Sequence, residues 1–209
     1  MLNLLIKDIS IQLKTILFFL CFTIGSFIFL EVNVYMIIPI LSAILLTVGS
    51  VGIEEKNNSE KLVLSLPLKR STIVLSKYMS VMIYFGGGML LAVLFGSLLV
   101  KIGIARVLKY VSFDDVILSL MITILYASLY LPIIFKLGYK QSRLYVFMMV
   151  MLPSMATLII SDYPDLTKKL VWLSYVPHKM LMFGVFLFLF MIYGISMFFS
   201  VRFYEKRDF

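Results

Sequence analysis

The sequence predicts an all-α polytopic membrane protein with six transmembrane helices, and three observations carry that prediction. Of 209 residues, 62% are hydrophobic and only 14% charged, a balance foreign to water-soluble domains. Apolar runs at 15–30, 33–53, 79–100, 115–135, 144–161 and 181–201 approach the ~20 residues that a helix needs to cross a bilayer. None of these runs shows the two-residue alternation of a membrane barrel, so residues 1–209 read as one transmembrane domain.

The first element, 1–14, is an amphipathic helix. Leu2, Leu5, Ile6, Ile9 and Leu13 share one face and Asn3, Lys7, Ser10 and Lys14 the other, the pattern of a helix lying along the inner membrane surface. The apolar run that follows has no small-residue cleavage site and is succeeded at once by another, so it is expected to stay attached as a span. Its Cys21, the sole cysteine, has no internal disulfide partner and is expected to be a small buried apolar residue. Spans one and two are joined by little more than Glu31 to Asn33, which forces an antiparallel hairpin. Ala43, Thr47 and Ser50, with Gly49 and Gly52 nearby, let another helix approach span two closely.

The longest polar stretch, 54–78, follows span two. Residues 54–61 contain no apolar side chain and are not expected in hydrocarbon. Asn57 and Glu60 have the spacing of a capped helix start, predicting a short helix over 58–66 that ends before Pro67. Ser71 is placed as the cap of the next helix, which continues into span three. Helix, rigid turn and helix suit a docking element, while a plain solvated loop remains the alternative.

Span three contains Gly86, Gly87 and Gly88, which predict close helix packing or a hinge. In the connection to span four, Ser112 and Asp115 have capping-box spacing. Pro132 is placed to bend the inner end of span four, where Lys136, Lys140 and Arg143 follow. Met148, Met149, Met151 and Met155 in span five offer either an adaptable surface for amphipathic peptides or apolar filler. The outer segment 162–180 carries Leu166, Leu170 and Leu173 at helical spacing and Tyr163, Trp172 and Tyr175 as headgroup-level residues, predicting a short interfacial helix before span six.

The formal charge of +8 is spread over connecting segments, which argues for membrane topology and against nucleic acid. With the N-terminus cytoplasmic, the inner segments hold thirteen of the 19 Lys and Arg residues, so both termini are expected inside a cell membrane. The apolar runs lack the facing titratable groups of an intramembrane catalyst or ion-driven carrier. His178, the only histidine, has no Cys or His companions to make a zinc site. Glu54-Glu55 also opens the motif of CAAX-processing proteases, but Ser59 stands where that motif has arginine and the intramembrane histidines are missing. No GxxxxGK[ST] sequence occurs, so if transport is its work, the energy is expected to come from another subunit. Without a repeat, the sequence lends no support to the symmetry of many secondary transporters.

Two motifs carry a family resemblance. One is Glu55-Lys56-Asn57-Asn58-Ser59-Glu60-Lys61, leading to Leu64-Ser65-Leu66-Pro67 and then 71–77. The other is Pro132 through Tyr139, followed by Arg143. With the order of elements along nearly the whole chain, they resemble permease subunits of type-2 ABC exporters, in particular small Gram-positive exporters of antimicrobial or toxic peptides such as the phenol-soluble-modulin exporters. The resemblance implies a coupling helix seated on a separate ABC ATPase subunit, with Glu54, Glu55, Lys56, Asn57, Asn58, Ser59, Glu60, Lys61, Leu62, Leu66 and Pro67 as its ATPase-coupling residues. It further implies a second permease copy or close paralogue, no cofactor on this chain, and ATP and Mg on the partner. The competing readings are the substrate-binding subunit of an energy-coupling-factor vitamin importer, whose AxxxA motif is missing from span one, and a non-transporting peptide-immunity protein.

Overall fold

The computed structural model describes residues 2–29, 33–57, 69–102, 111–142, 145 and 177–206. Regular secondary structure among them is helical throughout: α1 (Leu2–Ile11), α2 (Leu13–Phe29), α3 (Val34–Lys56), α4 (Arg70–Ile102), α5 (Phe113–Leu137) and α6 (His178–Glu205). Each of α3 to α6 contains a stretch long and apolar enough to cross a membrane. At 17 residues, α2 qualifies only jointly with α1, from which it is bent by 61°. These helices overlap predicted spans one to four and six. Apart from Tyr145, the predicted fifth span lies outside the described residues, and so do 162–176 of the predicted outer segment.

The most extensive helix contacts are α3 along α4 and α5 along α6, with α3 also against α5. Small residues make the first contact possible. Ala43, Thr47 and Ser50 of α3 are all buried, and a Cβ placed on Gly88 of α4 would stand 2.7 Å from Ser42 Cβ and 3.1 Å from Pro39 Cα. Ser42 Oγ also lies within 2.9 Å of the Tyr84 carbonyl. Of the three successive glycines only Gly88 is crowded, since a Cβ on Gly86 or Gly87 meets nothing. The triplet thus contains one close approach, and α4 continues through it as a helix.

The α2–α3 hairpin forms as the short connection requires, with Phe27 and Tyr35 edge to face at 5.4 Å. At the same end of the bundle, Ser112 caps α5. Its hydroxyl accepts from the Asp115 backbone N–H at 3.2 Å, and the Asp115 carboxylate accepts from the Ser112 N–H at 3.3 Å. Asn33 Nδ2 donates to the same carboxylate at 2.7 Å, tying the start of α3 to that of α5. Pro132 does not interrupt α5, which runs on to Leu137.

Two expectations need correction. Cys21 is exposed, because the bundle buries Phe19, Thr23, Ser26 and Phe27 of α2 instead and leaves Cys21 facing outward. In α1 the predicted apolar face is not the one that packs. Leu4, Asp8 and Gln12 are buried at successive four-residue intervals, while Ile6 and Leu13 are exposed. The entry helix therefore has a protein-facing side in addition to its apolar and polar sides, and that side carries an acid.

Candidate functional site

At the end of the bundle where α1 crosses, four charged side chains from three helices meet. Asp8 comes from the buried side of α1, Glu54 from the last turn of α3 and Lys77 from two turns inside α4, while Lys7 flanks Asp8. Lys77 Nζ donates to both Asp8 carboxylate oxygens at 3.0 Å and lies 2.9 Å from Glu54 Oε2. Lys7 Nζ donates to Glu54 Oε1 and lies 3.6 Å from Asp8 Oδ1. Two cations and two carboxylates leave the cluster formally neutral. That balance is what permits side chains exposed by only 2% (Asp8) and 8% (Lys77) beside apolar helices, because a buried charge is tolerated when paired and hydrogen-bonded.

Neighbouring polar groups complete the network. Ser80 Oγ reaches Asp8 Oδ2 at 3.2 Å, and Gln12 Nε2 donates to Tyr84 Oη at 2.9 Å. Burial pushes the Asp8 carboxyl above the ordinary carboxylate range, although Lys77 pulls it down. Burial opposes the charge of Glu54 and Lys77 as well, but Asp8 is the carboxylate of the cluster on which burial outweighs the ion pairs.

A second junction lies at the start of α4. Arg70 Nη1 donates to the carbonyls of Tyr204 at 3.0 Å and Glu205 at 2.8 Å, the last turn of α6. A guanidinium there satisfies carbonyls that have no intrahelical partner and opposes the negative end of the helix dipole. This contact also accounts for a third correction: α4 begins at Arg70, so Ser71 lies inside the helix and does not cap it. Farther along α4, Tyr78 Oη shares hydrogen bonds with Ser196 and Ser200 of α6 at 2.7 and 2.8 Å, and Ser196 donates to the Ser128 carbonyl of α5 at 2.6 Å.

The start of the first sequence motif, at Glu55, and the end of the second, at Tyr139, line one cavity here. α5 ends at Gly138, with φ 81° and ψ 169° and its N–H donating to the Ile134 carbonyl, a conformation that favours glycine. The next residue, Tyr139, is placed against Gly52 of α3, where an added Cβ would stand 2.6 Å from the tyrosine hydroxyl. Between α1 and the ends of these helices lies a cavity of about 280 Å³, lined among others by Asp8, Glu54, Glu55, Lys77, Tyr139 and Lys140.

Of the predicted coupling residues, Glu54, Glu55 and Lys56 close α3 and Asn57 follows as its C-cap, its N–H donating to the Ile53 carbonyl. Glu54 is engaged by Lys7 and Lys77. Glu55 Oε2 is buried without a hydrogen-bond partner among the described residues, and Lys56 and Asn57 are exposed. Asn58, Ser59, Glu60, Lys61, Leu62, Leu66 and Pro67 lie outside the described residues. Sequence reasoning missed Asp8, Gln12 and Tyr84. The signal available was Asp8 and Gln12, four residues apart and off the side that carries Asn3, Lys7, Ser10 and Lys14.

Residues 3–205 match the model of the family described as ABC-2 family transporter protein. No curated protein and no solved structure matches the chain.

Proposed function

The chain belongs to the ABC-2 transporter family, which makes it the membrane permease component of an ABC transporter, and from that premise we propose an exporter of amphipathic peptides driven by a separate ABC ATPase. In this reading 54–67 is the coupling segment, both termini are cytoplasmic, and a second permease copy or close paralogue completes the channel. The two sequence motifs resemble those of small Gram-positive exporters of antimicrobial or toxic peptides, and that resemblance supplies the cargo of this proposal.

One observation supports the coupling role above the rest: both roots of the segment are pinned. Glu54 at its start is bridged to Lys77 of α4 and Lys7 of α1, and Arg70 beyond its end holds the last carbonyls of α6. A push on such a segment is shared by α1, α3, α4 and α6, whereas a loop with free roots would absorb it. Closure of ATP-bound partners would then shift the bundle between two conformations. Glu54 acts within the permease as the anchor, and Glu60, Lys61, Leu62, Leu66 and Pro67 meet the ATPase.

Co-expression with an ABC ATPase encoded beside the gene tests this reading. A stable complex is expected, weakened by combined charge reversal at Glu60 and Lys61. Failure to co-purify, or an unchanged complex and unchanged peptide transport in that variant, refutes it.

A further inference from the structure

The cavity beside the charge cluster holds two groups that the cluster does not use. Lys7, Lys77, Asp8 and Glu54 neutralise one another. Glu55 Oε2 is buried and accepts no hydrogen bond, and the exposed Lys140 forms no ion pair among the described residues. Both line the cavity. A buried carboxylate oxygen without a donor is costly and calls for a missing partner. The unfilled requirement is therefore an N–H-bearing cation at Glu55, and Lys140 on the same cavity wall is placed to meet an anion beside it.

The remaining walls show what kind of molecule bears those charges. Leu4, Ile73, Leu131, Ile134 and Phe135 make a large part of the lining apolar. Beside them Ile6 of α1 and Leu13 at the start of α2 turn outward, both more than half exposed, as residues at a membrane interface do. The volume, about 280 Å³, suits a headgroup and the start of its chains better than a whole drug-sized ligand. We propose that this cavity binds a phospholipid with a primary-amine headgroup, its ammonium donating to Glu55 Oε2 and its phosphate meeting Lys140. A quaternary choline has no N–H to give Glu55, and a glycerol headgroup has no cation.

The test uses the full-length chain in detergent, incubated with phosphatidylethanolamine, phosphatidylcholine or phosphatidylglycerol of identical acyl chains and read by native mass spectrometry. The wild type retains phosphatidylethanolamine about tenfold better than phosphatidylcholine, a ratio within reach of one charge-assisted hydrogen bond. Glu55→Gln abolishes that preference. Lys140→Gln, at an exposed position, lowers retention of all three lipids while keeping their order. Lys136→Gln, which removes a side chain stacked on Phe203 outside the cavity, changes nothing. Glycerophosphoethanolamine, the same headgroup without acyl chains, does not displace the bound lipid. Equal retention of the ethanolamine and choline lipids by the wild type overturns the proposal. A preference that survives Glu55→Gln, or displacement by the soluble headgroup at equal concentration, does so as well. Loss of ATPase co-purification in Glu55→Gln with lipid preference intact would assign Glu55 to the partner and overturn it too.

Discussion

Replacing Lys77 by Met removes the cation that touches both carboxylates of the cluster while keeping most of the side-chain stem. Asp8 and Glu54, whose side chains are 2% and 14% exposed, are then left with Lys7 alone, and a formally neutral group acquires a net charge of minus one. Breaking a buried ion pair from one side costs about 3–5 kcal/mol. Lys7, 29% exposed and already on Glu54, compensates in part, so the low end, about 3 kcal/mol, applies. For a chain of this length that corresponds to a fall in Tm of about 6–12 °C, measurable by circular dichroism of the purified chain in detergent. The loss should shrink as pH is lowered. Burial already raises the Asp8 carboxyl, and without Lys77 it rises further, so protonation restores neutrality as pH falls. Adding Asp8→Asn to Lys77→Met should act in the same way at neutral pH and recover at least half of the loss, because Lys7 and Glu54 then remain as a balanced pair. A Lys77→Met protein melting within 2 °C of the wild type, or a double variant no more stable than the single one, would refute the reasoning.

Other outcomes follow from single contacts. Gly88→Ala should destabilise by about 1–3 kcal/mol through overpacking against Ser42 and Pro39, whereas Gly86→Ala and Gly87→Ala should be neutral or stabilising by up to about 1 kcal/mol from helix propensity; parallel melting curves separate the two. Ser112→Ala removes the α5 cap and should cost about 1 kcal/mol, again read as a lowered Tm. Gly138→Ala forces a side chain into a left-handed backbone conformation and should cost about 1–3 kcal/mol, with faster proteolysis after α5 as an independent readout. Arg70→Ala frees the last turn of α6 and should raise amide hydrogen exchange there while leaving the middle of α6 unchanged.

Elements whose signal is local were legible in the sequence. Ser112 and Asp115 are three residues apart, and the capping box they imply is present; the small residues of α3 likewise announce close packing that Gly88 completes from α4. The charge cluster was not legible, because it depends on contacts across 47 and 69 residues of chain. A two-sided reading of α1 treats every charge as water-facing, yet Asp8 sits on a third side that only the crossing of α1 over α3 and α4 creates. The same limit applies to Cys21, since an apolar span does not reveal which of its sides meets lipid. Lys77 falls in the helix predicted to lead into span three, but its helical position alone does not reveal that it faces Asp8 and Glu54. Beyond the apolar run 33–53, α3 continues to Lys56, and the pairing of Glu54 with Lys7 and Lys77 lets the helix carry that charge.

ATP-driven transport of an amphipathic peptide into inverted vesicles, with the ABC ATPase present and the Lys77→Met/Asp8→Asn variant compared with wild type, probes the mechanical role of the pinned segment most directly. That variant keeps the fold but lacks the bridge between α3 and α4. Its complex with the ATPase should form normally while transport falls by about fivefold or more, the loss expected when ~1–3 kcal/mol of coupling is removed. Transport at the wild-type rate by a folded, ATPase-bound variant would contradict it.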